Sequence, residues 1–224
     1  MIKQSKWVRA HTNIAFIKYW GKEDETLILP KNNSLSLTLD AFYTDTQVCF
    51  DKKLNKDILF IDGEEQDKKA LKKAQVILDL VRKEAGIHEF ARIDSKNHVP
   101  TAAGLASSAS GLAALAGAAS LAAGLNLTKE ELSRLARRGS GSASRSIYGG
   151  FAEWQKGSSD IDSFAIPIDE ADWDIGMIFI IVDDGRKEVS STEGMRRVVE
   201  TSPYYDGWVS STKEDLIDMK SAIK

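Results

Sequence analysis

Apolar and β-branched side chains crowd positions 7–17, WVRAHTNIAFI, and predict a strand that runs into the compact segment YWGK. AFYTDTQVCF, at 41–50, alternates roughly between apolar and polar positions and predicts a second strand. ILFIDG, at 58–63, predicts a third, stopped by an Asp-Gly turn. Between 68 and 85, Leu71, Ala74, Ile77 (or Leu78) and Val81 recur at helical spacing, and Gly86 suits a left-handed C-cap. Residues 90–95 form a short strand pattern that leads into a long uncharged run.

After that run, TKEE at 128–131 has the Thr-x-x-Glu spacing of a capping box. The helix it opens should end near Arg137, Arg138 and Gly139, with cations over its negative end. Strands are expected at 151–155, 164–168 and 175–182, the last so apolar that both faces should be buried. From Ser191 onward the pattern is helical in pieces, one of them starting at Pro203. Strands and helices in this irregular order predict an α+β fold with a mixed or antiparallel sheet rather than regular βαβ winding.

Composition narrows the function classes. The 224 residues suffice for one large domain or two small ones, and 42% hydrophobic with 28% charged residues is ordinary for a globular protein. A net charge of −3 gives no general pull toward nucleic acid. A lone cysteine, Cys49, makes no internal disulfide framework and fits a reducing compartment. MIKQSKWVRAHTN has no apolar signal core, so a cytoplasmic protein is expected.

The uncharged run, VPTAAGLASSASGLAALAGAASLAAGLNL at 99–127, is long enough to suggest a membrane. Its Ala, Gly and Ser content gains little from hydrocarbon and argues against one. Within it, PTAAGLASS places a proline, small residues and the hydroxyls of Ser107 and Ser108 just before an Ala-rich helix. Small side chains let backbone N–H groups approach a phosphate, and a helix start points unpaired N–H groups at it. A tightly packed core helix fits the same composition. Two further clusters carry candidate chemistry. HTNIAFIKYWGKED, 11–24, sets Lys18 and Lys22 around Tyr19, Trp20 and Gly21, two cations and a phenol suited to a diphosphate or, equally, to an exposed turn. RRGSGSASRSIYGGF, 137–151, offers Ser140 and Ser142 hydroxyls, flexible Gly139 and Gly141, and Arg145, which can grip a carboxylate in two-pronged fashion or sit in a surface turn. His11 and His98 have no second ligand at metal spacing and read as structural, and YYDGW at 204–208 reads as packing.

These motifs together resemble a known family. PTAAGLASSAS is similar to the phosphate loop of the GHMP kinase superfamily, and its Gly-Leu-Ala-Ser-Ser form to that of the decarboxylating branch, the diphosphomevalonate decarboxylases. NIAFIKYWGK resembles the N-terminal signature of that branch, and GSGSASRS its Gly-Ser-Gly-Ser-Ala-Cys-Arg-Ser motif, with Ser144 in place of the cysteine. GRKEVSSTEGM resembles a family segment in which Ser191 approaches the transferred phosphate and Thr192 the substrate diphosphate, where many bacterial relatives carry arginine. Arg186 or Lys187 would then supply the missing charge.

The resemblance implies a GHMP-kinase-like two-layer first domain over residues 1–183 and the beginning of a C-terminal α+β domain over 184–224. It implies ATP and Mg²⁺ as cofactors, a homodimer, and ATP-dependent decarboxylation of mevalonate 5-diphosphate to isopentenyl diphosphate. Pro100, Ala102, Ala103, Gly104, Leu105, Ala106, Ser107 and Ser108 would cradle ATP, with Ser95 and Asn97 nearby. Tyr19, Trp20, Gly21 and Lys22, with Lys72 on the first helix, would hold the substrate's diphosphate side. Ser140, Gly141, Ser142, Ala143, Ser144 and Arg145 would hold its carboxylate end, and Lys18, Ser108 and Arg145 would act in catalysis. The family's third motif and its aspartate have no counterpart here, and the sequence stops at DLIDMKSAIK, so a catalytically incomplete binding protein stands beside the decarboxylase. A small-molecule kinase of the same superfamily is a further alternative.

Overall fold

The computed structural model describes residues 3–99, 107–180 and 189–224. In order these form β1 (Lys3–Gln4), β2 (Val8–Ile17), β3 (Lys22–Asp24), β4 (Leu29–Pro30), β5 (Ser34–Asp51), β6 (Ile58–Ile61) and β7 (Glu64–Glu65). Then come α1 (Lys68–Ala85), β8 (Phe90–His98), α2 (Ser107–Ala123) and α3 (Lys129–Gly139). A 3-10 segment (Gly141–Ile147), β9 (Phe151–Trp154), β10 (Ala165–Asp169), α4 (Ser191–Thr201) and α5 (Tyr205–Ile223) complete the chain.

The main sheet runs β10-β9-β5-β8-β6-β7, with β2 and β1 also paired to β5. β5 is its spine: β2 and β1 lie along one edge, while β8 and β9 share the other. All pairs are antiparallel except β6 with β8, which α1 joins as a crossover. The sheet is therefore mixed, in an α+β arrangement.

Period-two alternation along β5 divides the two faces. Val48 and Phe50 face a core shared with Ile77, Leu78 and Val81 of α1 and the alanines of α2. Leu35 and Leu37 face the opposite way, onto Leu216 and Ile223 of α5. α2 is buried along most of its length, Leu121 being 47% exposed, and its small residues set the spacing: a Cβ on Gly117 would lie 2.9 Å from Val8. Among the described residues no helix is long and apolar enough to cross a membrane.

Helix ends follow their sequence signals. Asp67 caps α1, and Gly86 closes it at φ 62°. Thr128 and Glu131 form the reciprocal capping box of α3, with Glu131 N donating to Thr128 Oγ1 at 3.2 Å and Thr128 N to Glu131 Oε2 at 2.8 Å. The cations of its last turn do more than complement a dipole. Arg134, Arg137 and Arg138 converge on Asp160, and Arg137 is wholly buried.

Four expectations need correction. The second strand begins at Ser34 rather than residue 41, and the strand after Gly86 extends to His98. Residues 175–180 form no strand, and Ile178 and Ile180 are 92% and 85% exposed; 181 and 182 lie outside the described residues. A strand exists through its ladder partner, and none among the described residues pairs with this stretch. In YYDGW, Tyr205 packs against Trp208, but Tyr204 is exposed. His98 stacks on Tyr43 at 4.4 Å, and His11 Nδ1 lies 3.0 Å from Leu39 O, both structural contacts.

Candidate functional site

The 3-10 segment after α3 buries a cation that has no counter-ion among the described residues. Ser140 turns the chain out of the helix in extended conformation, and Gly141 lets it pass close to two rings: an added Cβ would stand 2.7 Å from Trp154 and 2.9 Å from Tyr19. Asn13, just past an irregularity in β2, ties the segment down by donating from Nδ2 to Ser142 O at 3.0 Å and Ser146 Oγ at 2.8 Å. Arg145 is 2% exposed. It donates to Ser36 Oγ at 2.9 Å, to Ser34 Oγ, and to Asn13 Oδ1 at 3.2 Å. All three acceptors are neutral, and among the described residues no carboxylate pairs with it. Burial pulls its pKa down to about 10, which still leaves it charged at neutral pH.

Of the other residues here, Ser140 and Ser142 hydroxyls lie 3.4 Å apart and half-buried. Ser144 is buried and staples the turn by donating to Gly141 O at 2.7 Å, while Ala143 belongs to the core.

Tyr19 brings a second unmatched group. Its ring meets Trp154 edge-on at 4.8 Å, and its hydroxyl is buried with no hydrogen-bond partner among the described residues. Burial raises its pKa, with Arg145 opposing, so the phenol stays a neutral donor. Lys18 points to solvent, and its carbonyl accepts from Asn32 at 3.0 Å. Gly21 adopts φ +111°, and beyond it the half-buried Lys22 pairs with the exposed Glu25. A cavity of about 190 Å³ opens here, lined by Gly21, Lys22, Glu25, Thr192, Met195 and Arg196. Ser190 caps α4, so Ser191 and Thr192 sit at its exposed first turn.

A second cavity, of about 200 Å³, lies between α1, β8 and the start of α2. Thr44, Lys73, Ser95, Asn97 and Ser108 give it polar groups over a floor that includes Ile93 and Leu112. Thr44 donates to Asn97 at 3.0 Å and shares a hydrogen bond with Ser110 at 2.8 Å; Ser110 also accepts from Thr12 at 3.4 Å. Thr12 and Asn13 are successive residues of β2, one bonded to the polar groups at this cavity and the other to the arginine. Pro100 to Ala106, together with Arg186 and Lys187, lie outside the described residues. Lys72 is exposed and lines a third hollow with Lys56 and Lys68; its neighbour Lys73 reaches the cavity that holds Asn97. No group of three His, Cys, Asp or Glu among the described residues is placed to hold a metal ion.

Sequence reasoning missed Asn13, Ser34 and Ser36 as the arginine's partners. SLSLTL, 34–39, carries a period-two signal that would have found the strand, and with it the face those serines share.

Residues 10–165 match the family model of the diphosphomevalonate decarboxylase-like N-terminal domain, and 177–224 that of the mevalonate 5-diphosphate decarboxylase C-terminal domain. The chain is 43% identical over 217 residues to the diphosphomevalonate decarboxylase of Ganoderma lucidum, covering 87% of this chain and 53% of that one. It is 41% identical to the Homo sapiens protein of the same name, covering 87% and 52%. The chain thus spans about half the length of the curated relatives it matches. Mevalonate diphosphate decarboxylase from Staphylococcus aureus superposes with a TM-score of 0.94 at 52% identity, covering all of this chain and 68% of that one. A structure of MDDEF in complex with MVAPP, AMPPCP and magnesium superposes with a TM-score of 0.93 at 56% identity, covering 100% and 69%.

Proposed function

Since this chain belongs to the diphosphomevalonate decarboxylase family, we propose that it binds mevalonate 5-diphosphate and MgATP and serves the ATP-dependent decarboxylation that yields isopentenyl diphosphate, ADP, phosphate and CO2. The observation that carries the reading is Arg145, a buried guanidinium whose partners among the described residues are all neutral oxygens. A buried charge is costly unless a counter-charge meets it, and a substrate carboxylate supplies one. Ser140 and Ser142, at the start of the same segment, are assigned to orient that carboxylate for loss of CO2. The orphaned Tyr19 hydroxyl and Lys22 suit the diphosphate, whose arrival would free Lys22 from Glu25. Thr192 and Ser191 close the same side, and Lys18 adds charge at the rim.

The second cavity fits a nucleotide: its apolar floor suits a heterocycle, and Lys73, Ser95, Asn97 and Ser108 suit polar groups around it. When bound there, ATP with Mg²⁺ supplies the phosphoryl group that turns the substrate 3-hydroxyl into a leaving group. Residues 100–106 are assigned to the same nucleotide by their motif. A division into two domains, drawn here at residue 183, is in keeping with two separate family matches, of which the second begins at residue 177. A homodimer and a cytoplasmic location complete the proposal, the first supported by the resemblance and the second by the lone cysteine.

The test is ADP and CO2 release from this chain with MgATP and mevalonate 5-diphosphate. Equal amounts of both support the decarboxylase, whereas ADP without CO2 replaces it with a kinase. Calorimetric binding of both ligands without turnover identifies a binding protein that lacks the chemistry.

A further inference from the structure

The segment from Tyr19 to Lys22 is held from a distant part of the chain. Tyr205, the first residue of α5, donates its hydroxyl to Trp20 O at 2.7 Å across 185 positions of sequence, and it is 6% exposed. Its oxygen lies where a Cβ on Gly21 would be, 2.0 Å away, and Val199 of α4 lies 3.1 Å from the same point. A Cβ on Gly194 of α4 would stand 4.0 Å from the Trp20 ring. Two helices thus enclose the Trp20–Gly21 peptide.

That peptide separates the two groups assigned to the diphosphate, the Tyr19 hydroxyl and the Lys22 ammonium. At φ +111° it rests on a glycine, the residue with the widest choice of backbone conformations, so local sequence does not fix its plane. Rotation of the plane would swing Lys22 relative to Tyr19. A donor on the Trp20 carbonyl, with a ring wedged against Gly21, removes that freedom.

We propose that Tyr205 is a positioning residue for diphosphate recognition, setting the Trp20–Gly21 peptide so that Tyr19 and Lys22 engage one ligand together. The inference rests on the assignment of residues 19–22 to the substrate diphosphate. It also gives α5 a role at both ends: Lys220, in its last turn, pairs with the buried Glu153, which accepts from Asn33 at 2.8 Å, next to the Asn32 that holds Lys18 O.

Isothermal titration of the full chain with mevalonate 5-diphosphate and, separately, with AMPPCP and Mg²⁺ tests it. Tyr205→Phe keeps the ring and loses the donor, so the diphosphate Kd should rise about 10-fold, the loss of one buried hydrogen bond, while the nucleotide Kd stays within about twofold. Replacing Tyr205 with p-aminophenylalanine, which keeps a ring and a para donor, should restore the diphosphate affinity. An unchanged diphosphate Kd in Tyr205→Phe overturns the proposal, as does an equal rise in both constants or a failure of the amino analogue to rescue. A wild-type chain that binds nucleotide but no mevalonate 5-diphosphate overturns the substrate assignment instead.

Discussion

Arg145 offers a test in which fold and function separate. Replace it with glutamine. A pKa drawn from 12.5 to about 10 corresponds, at about 1.36 kcal/mol per tenfold change, to about 3 kcal/mol of penalty for holding the charge in this site. Arg145→Gln removes that penalty. It also removes hydrogen bonds to Ser34, Ser36 and Asn13, each worth about 1 kcal/mol net, some of which the amide can remake. The two effects nearly cancel, so stability should stay within about 1–2 kcal/mol of the wild type. Binding has no such compensation, because removing one partner of a buried charge pair costs about 2–5 kcal/mol. The Kd for mevalonate 5-diphosphate should rise at least about 30-fold. Urea unfolding and calorimetric titration on the same samples measure both quantities. Unaltered binding would refute the carboxylate assignment, and a loss of 4 kcal/mol or more in stability would refute the claim that the charge is held at a cost.

Gly21→Ala places a Cβ 2.0 Å from the Tyr205 oxygen on a backbone at φ +111°; the thermal midpoint should fall by the equivalent of about 2–3 kcal/mol. Lys73→Ala should weaken AMPPCP–Mg²⁺ binding about 10-fold, and Lys72→Ala should leave it within about twofold, because only Lys73 faces the cavity. For Asp160, burial raises the carboxyl pKa, but Arg137, Arg138 and Arg134 outweigh burial and hold it below its usual value. Its folded pKa being the lower one, the stability it contributes is present above about pH 4 and is lost as pH falls through the folded value. Asp160→Asn should cost about 2 kcal/mol at pH 7 and flatten the acid limb of a urea-midpoint profile between about pH 5 and 2.

Elements with strong local signals were legible. The bounds of α1, its Gly86 cap and the Thr128–Glu131 box follow from side chains that act within one helical turn. Arg145 and Tyr19 were legible as types, through their motifs. Their environment was not, since Ser34 and Ser36 lie 111 and 109 positions from Arg145 and meet it only through the sheet. Lys72 shows the cost of a one-residue ambiguity on a helix: successive residues point about 100° apart, so the neighbouring Lys73 reaches the cavity. The stretch 175–180 misled because hydrophobicity measures a wish for burial, whereas strand formation needs a partner edge.

β5 has a consequence that concerns length rather than chemistry. Ser34 and Ser36 near its start touch the arginine, and Thr44 and Thr46 near its other end touch Asn97 and Ser95, so one continuous strand spans both binding regions. Nine residues run from Ser36 to Thr44, with a bulge among them, since Thr38 faces Asn13 and Tyr43 faces His11 across β2; this stretch is the ruler between the two ligands. An insertion or deletion outside that bulge turns one set of hydroxyls to the far face of the sheet and changes the spacing across which the two ligands must meet.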